Sequence, residues 1–322
     1  MRGKSTPDNS AESKAMDLPG AARGELARAI LRWYSHNGRS LPWRDISDPY
    51  RILVSEIMLQ QTYVSRVLTK YPEFLRRFPT IRKLAAGSQK DVVVAWQGMG
   101  YNNRAVRLYR LAKTIVQDYG GRFPQSYADL LALPGIGRYT ANALLSSAFG
   151  SDVPIVDVNI RRVFSRVFWP MKTTASLRPQ NEIWQLAGRL VPRGNAYRWN
   201  QALMDLGATI CIARSPHCER CPVARLCVSR KPMKRIAPAS EKRKSAAAAV
   251  PNRIYRGRII EALRHTHRNR NVRTVAIGRA IHPNYGRNSR RWLELLLRGL
   301  EKDGLIKRSG TGKWCERRIS LA

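Results

Sequence analysis

Apolar residues recur at intervals of three and four along residues 24–229, as at Leu108, Leu111 and Ile115. This spacing places side chains on one face of an α-helix, and Gly and Pro residues separate the successive apolar runs. The apolar stretch 153–158 lies between two helical runs and predicts a loop that enters a helix. The pattern predicts helices in the runs 24–37, 49–78, 80–87, 89–99, 103–121, 126–133, 137–150 and 178–191.

The pattern changes after residue 229. Residues 230–251 are rich in Lys, Arg, Pro, Ala and Ser without an apolar period, which predicts a basic linker. Residues 252–322 then predict helices over 253–266, 273–281 and 289–304, followed by two short strands around the turn Ser309–Gly312. This order predicts a small domain of the winged-helix type. Residues 1–23 are polar and aperiodic and predict a disordered tail.

Length and hydrophobicity limit the class of protein. The chain has 322 residues, of which 43% are hydrophobic, enough for two domains with real cores and a third small one. No apolar stretch is long enough to cross a membrane, and the first residues lack the apolar core of a secretory signal. We therefore expect a soluble, cytoplasmic protein, associated with the nucleoid and acting as a monomer.

The charge suggests a partner. Lys and Arg number 58 and Asp and Glu 22, giving a formal net charge of +36, and residues 230–322 alone hold 25 basic and 6 acidic residues. Self-repulsion on this scale is tolerated when the partner is a polyanion. An anionic membrane surface is the competing interpretation, but the sequence has no amphipathic membrane helix or lipidation signal. A nucleic acid is the favoured partner.

Four of the five cysteines fall within a short segment and predict a metal site rather than a disulfide framework. Four thiolates on one loop suit either tetrahedral zinc or a [4Fe–4S] cluster, and only one C-x2-C pair is present. Arginines within the loop either contact a phosphate backbone or form a solvated surface. The separate Cys315 predicts a packed or inert thiol. The clustered residues are Cys211, Cys218, Cys221 and Cys227, with Arg214, Arg220 and Arg225 beside them.

The segment LPGIGRYT, residues 133–140, follows one predicted helix and opens another. Gly135 and Gly137 allow unusual dihedral angles and a close backbone approach, and the first amides of the next helix form an anion site. On its own this motif is equally compatible with a plain turn between two helices.

Two acids stand among apolar neighbours, Glu56 in ILVSEIMLQQT and Asp157 in VPIVDVNIRRV. Burying an acid is costly unless it is paired or functional. The structural alternatives are a polar helix-face position for Glu56 and a helix N-cap for Asp157. Neither residue alone indicates an enzyme.

Taken in order, the motifs resemble those of the helix-hairpin-helix DNA glycosylases over residues 24–229. The resemblance is strongest to the MutY-type adenine DNA glycosylases and next to the thymine mismatch glycosylases. It rests on LPWR (41–44), DPYRILVSEIMLQQT (48–62), WQGMGYNNRA (96–105), LPGIGRYTANA (133–143), PIVDVNIRRV (154–163), NQALMDLGATIC (200–211) and the four-cysteine loop.

The resemblance implies an all-α, two-lobed fold with a [4Fe–4S] loop, which binds double-stranded DNA containing a mismatched or damaged base. It implies that the cluster is structural and that the turn with Leu133, Gly135 and Gly137 holds a phosphate. The adenine-glycosylase pattern further implies contacts to the lesion site. The residues matching that pattern are Gln60, Gln61, Thr62, Arg44 and Asn159.

The resemblance also assigns catalytic roles. Glu56 matches the general acid that protonates the departing base, and Asp157 matches the aspartate that stabilises the cationic sugar. At Tyr139 the endonuclease III group has a lysine nucleophile, so the tyrosine implies a monofunctional glycosylase of base excision repair.

The base removed is expected to be adenine opposite guanine or 8-oxoguanine. The alternatives are removal of thymine, uracil or another modified base opposite guanine, or a non-catalytic DNA-binding protein that reuses the fold. Three features depart from the adenine enzymes. The segment Tyr101-Asn102 replaces a double tyrosine, and Asp157-Val158-Asn159 replaces Asp-Gly-Asn. Residues 252–322 do not resemble the domain that those enzymes use to recognise 8-oxoguanine.

Overall fold

The computed structural model describes residues 20–171, 173, 177–230, 250–265, 271–310 and 317–322. The predicted tail before residue 20, most of the predicted linker and Cys315 lie outside the described residues. The chain divides into two compact units. The first unit comprises the described parts of residues 1–47 and 137–243, and the second unit those of residues 48–136 and 244–322.

The described residues are mainly helical, which confirms the all-α prediction for residues 24–229. In chain order the helices are α1 (Gly20–Asn37), α2 (Pro49–Leu59), α3 (Val64–Arg77), α4 (Ile81–Ala86), α5 (Gln89–Ala95), α6 (Asn103–Asp118), α7 (Tyr127–Ala132), α8 (Arg138–Ala148), α9 (Val158–Phe168), α10 (Gln180–Leu190), α11 (Ala196–Asp205), α12 (Asn252–His265), α13 (Thr274–Ile281) and α14 (Arg290–Lys302). A π-helical turn, Leu206–Ile210, continues α11, and short 3-10 turns cover Cys218–Arg220 and Arg287–Ser289.

The core of the first unit forms between α1, α9, α10 and α11. Apolar residues of α9 recur at intervals of three and four and are buried, so that Phe164 lies 6.5 Å from Trp199 of α11 between ring centroids. Fully burying one such side chain stabilises a fold by about 1.5–3 kcal/mol. Helix α9 is thereby fixed, and with it the residues at its N-terminus.

The second unit has its own core. Phe74 of α3 and Trp96, which follows α5, are fully buried and meet edge to face with their centroids 5.7 Å apart. Leu108, Leu111 and Ile115 of α6 are buried as well, as their spacing predicts. Helix α6 is therefore fixed in the core of the second unit, and with it the segments that precede and follow it in the chain.

The predicted single helix over 49–78 is wrong, because the structure divides it into α2 and α3. Gln61, between them, has a φ of 53° in the left-handed region. The guanidinium of Arg104 in α6 binds carbonyl groups that an uninterrupted α2 would direct to its own amides, namely those of Ile57, Met58 and Gln60. A side chain distant in sequence ends this helix.

The described residues after 250 contain the three predicted helices, α12 to α14, and a three-stranded antiparallel sheet. Its strand order is β1 (Val272–Arg273), β3 (Arg318–Leu321), β2 (Ile306–Ser309). The pairs Val272–Ile319 and Ile306–Leu321 fix the register. Strand β1 is too short to leave a pattern in the sequence. The winged-helix interpretation stays a prediction.

Among the described residues, none of the helices has the length and apolar character needed to span a lipid bilayer.

Candidate functional site

The four clustered cysteines line one pocket in the first unit. The π-helical turn leads into Cys211, and the 3-10 turn begins at Cys218. Arg166 of α9 is almost fully buried behind the loop and donates hydrogen bonds to the carbonyls of Ile212 and Ala213 at 2.9 and 2.7 Å. The loop is therefore shaped by a buried arginine around a pocket lined by Cys211, Cys218, Cys221 and Cys227.

The thiols suit a cluster of several metal atoms. Burial, with a smaller contribution from the neighbouring thiols, raises the pKa of Cys221 to about 12 and that of Cys227 to about 11. Bound metal would reverse this effect, since thiolates are the ligand form. In the described part of the chain, no three His, Cys, Asp or Glu side chains are arranged to hold a single metal ion. Four thiols around one pocket are a ligand set of iron–sulfur clusters and of tetrahedral zinc.

Asp157 is the N-cap of α9. Its Oδ1 accepts from the amide of Ile160 at 2.7 Å, and its Oδ2 accepts from Nδ2 of Asn159 at 2.8 Å. Burial raises the pKa of Asp157 above its usual value, although these two hydrogen bonds oppose the effect. The carboxylate is therefore both a helix cap and a group whose charge the site disfavours. The structural and the functional interpretation of this residue are compatible.

A short chain of hydrogen bonds runs from Asp157 to the cysteine loop. Asn159, which orients Asp157, accepts from Nη2 of Arg162 at 2.8 Å. Arg162 also donates to the carbonyls of Gly207 at 2.6 Å and Cys211 at 2.8 Å. A Cβ on Gly207 would lie only 2.7 Å from the Cβ of Asn159, so glycine is required for this approach. The cysteine loop and Asp157 are thus held by the same pair of side chains, Asn159 and Arg162.

Arg44, which the sequence predicts to contact DNA, is bonded to Asp205 inside the first unit. Arg44 is 6% exposed, and both terminal nitrogens donate to the carboxylate of Asp205 at 2.7 Å. Asp205 also accepts from the backbone amide and Nε of Arg39. Burial alone would raise the pKa of Asp205, but these donors lower it. Arg44 joins residues 39–44 to the end of α11 through these bonds, and its contact with DNA stays a prediction.

In the second unit, Arg104 organises the loop that contains Gln60, Gln61 and Thr62. Its Nη1 binds the carbonyl of Gln60 at 2.6 Å, and its Nη2 binds Oγ1 of Thr62 at 3.0 Å. Nη2 also binds the carbonyls of Met99 and Gly100 at 3.0 and 3.3 Å. Desolvation lowers the pKa of Arg104 to about 10. One buried cation therefore joins two loops, 60–63 and 98–101.

The two glutamines of this loop present their side chains to solvent. Gln60 and Gln61 are exposed, and Thr62 is partly buried by its bond to Arg104. Tyr101 in the other loop is 51% exposed and has a φ of 43°, rare for an aromatic residue. Exposed polar and aromatic side chains on a rigid support are suited to contact a ligand surface.

Glu56 lies on α2, one helical turn before Gln60. The side chain is partly buried, and its neighbours Ser55 and Ile57 are buried. Glu56 therefore occupies a helix position, as the structural alternative predicts. It also lies beside buried residues, as is expected of a proton donor.

The 133–137 turn joins α7 to α8. Gly135 has a φ of 84°, which a residue with a Cβ adopts only at a cost, and Gly137 is the exposed N-cap of α8. Leu133 is 3% exposed, and its contact with DNA stays a prediction. Tyr139, partly buried, occupies the second position of α8. As the sequence predicts, the segment follows one helix, α7, and opens the next, α8.

Sequence reasoning missed Arg104 and the Arg44–Asp205 pair as organising groups. Arg104 lies in the quoted motif WQGMGYNNRA and Asp205 in NQALMDLGATIC. The available signal was a charged residue among apolar neighbours, the same signal that identified Glu56 and Asp157.

Two family models match the chain. The model for HhH-GPD superfamily base excision DNA repair proteins matches residues 54–187. The model for the iron–sulfur binding domain of endonuclease III matches residues 211–227, which begin and end at cysteine ligand candidates. With the fit of the thiols described above, this match identifies the cofactor as a [4Fe–4S] cluster.

Curated relatives cover the same region. Adenine DNA glycosylase of Buchnera aphidicola is 36% identical over 207 residues, which are 64% of this chain and 60% of the relative. The human adenine DNA glycosylase is 39% identical over 63% of this chain and 39% of its own length. The Mycolicibacterium smegmatis protein of the same name is 43% identical over 61% and 66%. This chain spans about 60% of the Buchnera relative that it matches.

Solved structures match as well. A thermostable thymine-DNA glycosylase is 32% identical with a TM-score of 0.59, and the match covers 68% of this chain and 97% of that one. Endonuclease III in a non-covalent complex with DNA has a TM-score of 0.56 at 21% identity and covers 66% of this chain and 96% of that chain, which supports the shared fold.

Proposed function

Because this chain belongs to the HhH-GPD superfamily of base excision DNA repair proteins, we propose that it is a monofunctional DNA N-glycosylase. It hydrolyses the N-glycosidic bond of a mismatched base in double-stranded DNA, with adenine opposite guanine or 8-oxoguanine as the preferred substrate. Relatives at 36–43% identity that carry the name adenine DNA glycosylase support this base. The observation that carries the mechanism is the oriented, partly buried carboxyl group of Asp157.

Asp157 is assigned to the sugar. Breaking the bond between C1′ and the base places positive charge on the sugar, and a fixed carboxylate stabilises that charge. Its oxygens are held by the Ile160 amide and the Asn159 side chain, so little reorganisation is needed during the reaction. Water then bonds to C1′ and loses a proton, which completes the hydrolysis.

Glu56 is assigned to the base. The electron pair of the broken bond leaves with the base, and a proton from the Glu56 carboxyl group neutralises it. The base must leave the double helix to be reached, so the exposed Gln60, Gln61 and Tyr101 are assigned to the space and the partner base left behind.

Tyr139 supports hydrolysis by water. A phenol at this position of α8 cannot form the Schiff base that an amine would form with the opened sugar. Strand cleavage through a covalent enzyme–DNA intermediate at this residue is therefore not expected.

DNA is held through its backbone. The turn around Gly135 and the first backbone amides of α8 suit a phosphate. Arg214, Arg220 and Arg225 are exposed and have no acidic partner within the described residues, which favours phosphate contact over a neutralised surface. The [4Fe–4S] cluster would be held by Cys211, Cys218, Cys221 and Cys227. Its role would be structural, since it would shape this basic loop.

Removal of thymine opposite guanine is the second candidate. The thymine-DNA glycosylase that matches over 97% of its own length at 32% identity supports it.

A panel of duplexes tests both candidates. Single-turnover reactions with A:G, A:8-oxoguanine, T:G and U:G pairs, followed by alkaline cleavage, should give product fastest with an adenine-containing pair. Asp157→Asn and Glu56→Gln should each lower the rate by roughly 10²-fold or more. Binding without cleavage of any duplex would favour a non-catalytic protein, and efficient borohydride trapping would contradict the monofunctional assignment.

A further inference from the structure

Helix α12, in the C-terminal part of the chain, is attached to the segment that contains Tyr101. Arg264 of α12 has a side chain that is 5% exposed, and its Nη2 donates to Oδ1 of Asn102 at 2.9 Å. The same nitrogen donates to the carbonyl of Val93 in α5 at 2.8 Å. Asn102 directly precedes α6, the helix that contains Arg104. The contact therefore fixes α12 against the 98–101 loop.

A second attachment point lies after α14. Nε2 of Gln89 donates to the carbonyl of Gly304 at 2.6 Å, and Gly304 has a φ of 73°. A Cβ at this position would lie 2.6 Å from Nη2 of Arg110 and 3.6 Å from Val106, so the turn packs closely on α6. Two separate contacts, at Arg264 and at Gly304, therefore attach the described residues after 250 to the rest of the second unit.

A groove of about 730 Å³ lies between the 99–103 segment and α12. This volume falls within the range of small-molecule ligand sites. Tyr101 and Asn103 line one side, and Arg253, Ile254 and Arg258 line the other. Tyr101 and Ile254 are 51% and 41% exposed, so the groove offers apolar surface as well as charge.

The charge of the groove is only partly neutralised. Arg256 pairs with Asp303, and Glu261 pairs with Arg264. Arg253 is exposed and has no ion-pair partner in the described part of the chain. Arg258 is exposed, lies over the ring of Tyr255 and donates to the carbonyl of Ile281, which is a neutral acceptor. The carboxylates that line the groove, Asp303 and Glu261, are thus already paired, whereas Arg253 and Arg258 line it without an ion-pair partner among the described residues.

We propose that this groove binds one strand of the DNA substrate, with Arg253 and Arg258 on its phosphates and Tyr101 against a base. The proposal rests on the proposed function, which supplies DNA as the partner. An aromatic side chain opposite unpaired guanidinium groups is the combination that binds a nucleic acid strand, because rings stack on bases and cations bind phosphates. The C-terminal part of the chain then extends the DNA site next to the 98–101 loop.

This site differs from the basic surface expected at the start of α14. Arg290 and Arg291 there do not line the groove. The groove places its cations beside the 98–101 loop, so its contribution depends on the attachment through Arg264.

Salt-dependent binding of the full chain tests the proposal. Fluorescence anisotropy with a labelled A:G duplex, in an Asp157→Asn background that prevents cleavage, is measured from about 50 to about 300 mM sodium chloride. Replacing Arg253 and Arg258 by glutamine should reduce the log–log slope by roughly 2 and weaken binding roughly tenfold or more near 150 mM salt. Replacing both by lysine should keep most of the slope.

The matched control removes the same charge elsewhere. Arg279 and Arg318 are exposed, belong to the same part of the chain and do not line the groove, so their double glutamine variant should keep the wild-type slope. An unchanged slope in the groove variant, or an equal loss in the control, would overturn the proposal. Catalysis on the duplex panel is a separate readout. A groove-dependent slope without base excision would refute only the function, and excision with an unaffected slope would refute only the groove.

Discussion

Two aspartates of the first unit differ in how many hydrogen-bond donors surround them. Asp205 receives donors from Arg44 and Arg39 on both oxygens, and its pKa is lowered although it is fully buried. Asp157 receives one backbone amide and one neutral side-chain amide, and burial raises its pKa. The first arrangement suits a structural ion pair, and the second leaves a carboxylate able to gain from a developing positive charge.

The raised pKa of Asp157 predicts a stability effect. Asparagine caps a helix as well as aspartate does, so Asp157→Asn should retain α9 while abolishing catalysis. Ionisation of Asp157 opposes folding because its pKa in the folded protein lies above that of an aspartate in an unfolded chain. This penalty is absent at low pH and grows as pH rises through the folded pKa. Thermal unfolding between about pH 4 and 8 should therefore show a Tm advantage for the variant that widens with pH.

Asp205→Asn is the matched control for this prediction. It leaves the buried Arg44 without its anionic partner and should destabilise the protein at neutral pH by about 3–5 kcal/mol. If Asp157→Asn were the less stable protein at pH 7, the Asp157 carboxylate would be a stabilising group and its assignment to the sugar would lose support.

At the scale of elements, the ends of helices determine the geometry of the proposed site. Helix α2 stops at Leu59, α6 begins at Asn103, and Arg104 bonds to the segments beside both ends. Helix α9 begins at Asp157, and the π-helical turn after α11 leads into Cys211. Each proposed functional residue here lies at or next to a helix end, where backbone groups need partners.

Arg104→Lys tests this arrangement. An ammonium group cannot reach the six acceptors that the planar guanidinium binds, and the carbonyls left without donors should cost about 2–4 kcal/mol of unfolding free energy. The rate of base excision should fall while nonspecific DNA affinity changes little, because the charge is retained. Urea unfolding and single-turnover kinetics measure these two effects.

Arg107→Lys on the same helix is the control for Arg104. Arg107 is exposed, so its replacement should change stability by less than about 0.5 kcal/mol. Equal effects of the two substitutions would mean that Arg104 does not organise the 60–63 and 98–101 loops.

For the whole molecule, the main observation is that the described residues after 250 belong to the same compact unit as residues 48–136. The sequence predicts a separate domain after a linker, and the boundaries at 230–251 stay a prediction. Arg264 and Gly304 provide the contacts that join the described residues of this region to α5 and α6. The described residues after 250 therefore help to hold the 98–101 loop of the proposed site in place.

Arg264→Met should loosen this attachment. Removing the guanidinium leaves the Val93 carbonyl and Asn102 without their donor, so amides of residues 93–104 and 252–264 should lose hydrogen-exchange protection together. Hydrogen exchange followed by mass spectrometry measures both segments. Arg298→Met, an exposed residue of α14, should change neither. Loss of protection in α12 alone would show that the two segments open independently.

Several features of this protein follow from the sequence itself. Three- and four-residue periodicity predicts the helices, because helix faces that bury apolar side chains must repeat with the helical turn. The spacing of the cysteines predicts the metal-binding loop. The position of Glu56 and Asp157 within apolar runs identifies them as candidate functional residues, because burying an acid is costly unless it is paired or functional. Gly135 is predicted because a tight turn before a helix requires its dihedral freedom.

Other features depend on contacts between residues distant in the chain. The division of 49–78 into two helices depends on Arg104, the burial of Arg44 depends on Asp205, and the orientation of α12 depends on Arg264 meeting Val93 and Asn102. Local patterns report how a segment satisfies its own backbone and apolar face. The partner of a charged side chain is chosen only when folding brings separate segments together, because the cost of burying the charge is offset by whichever acceptors are then within reach.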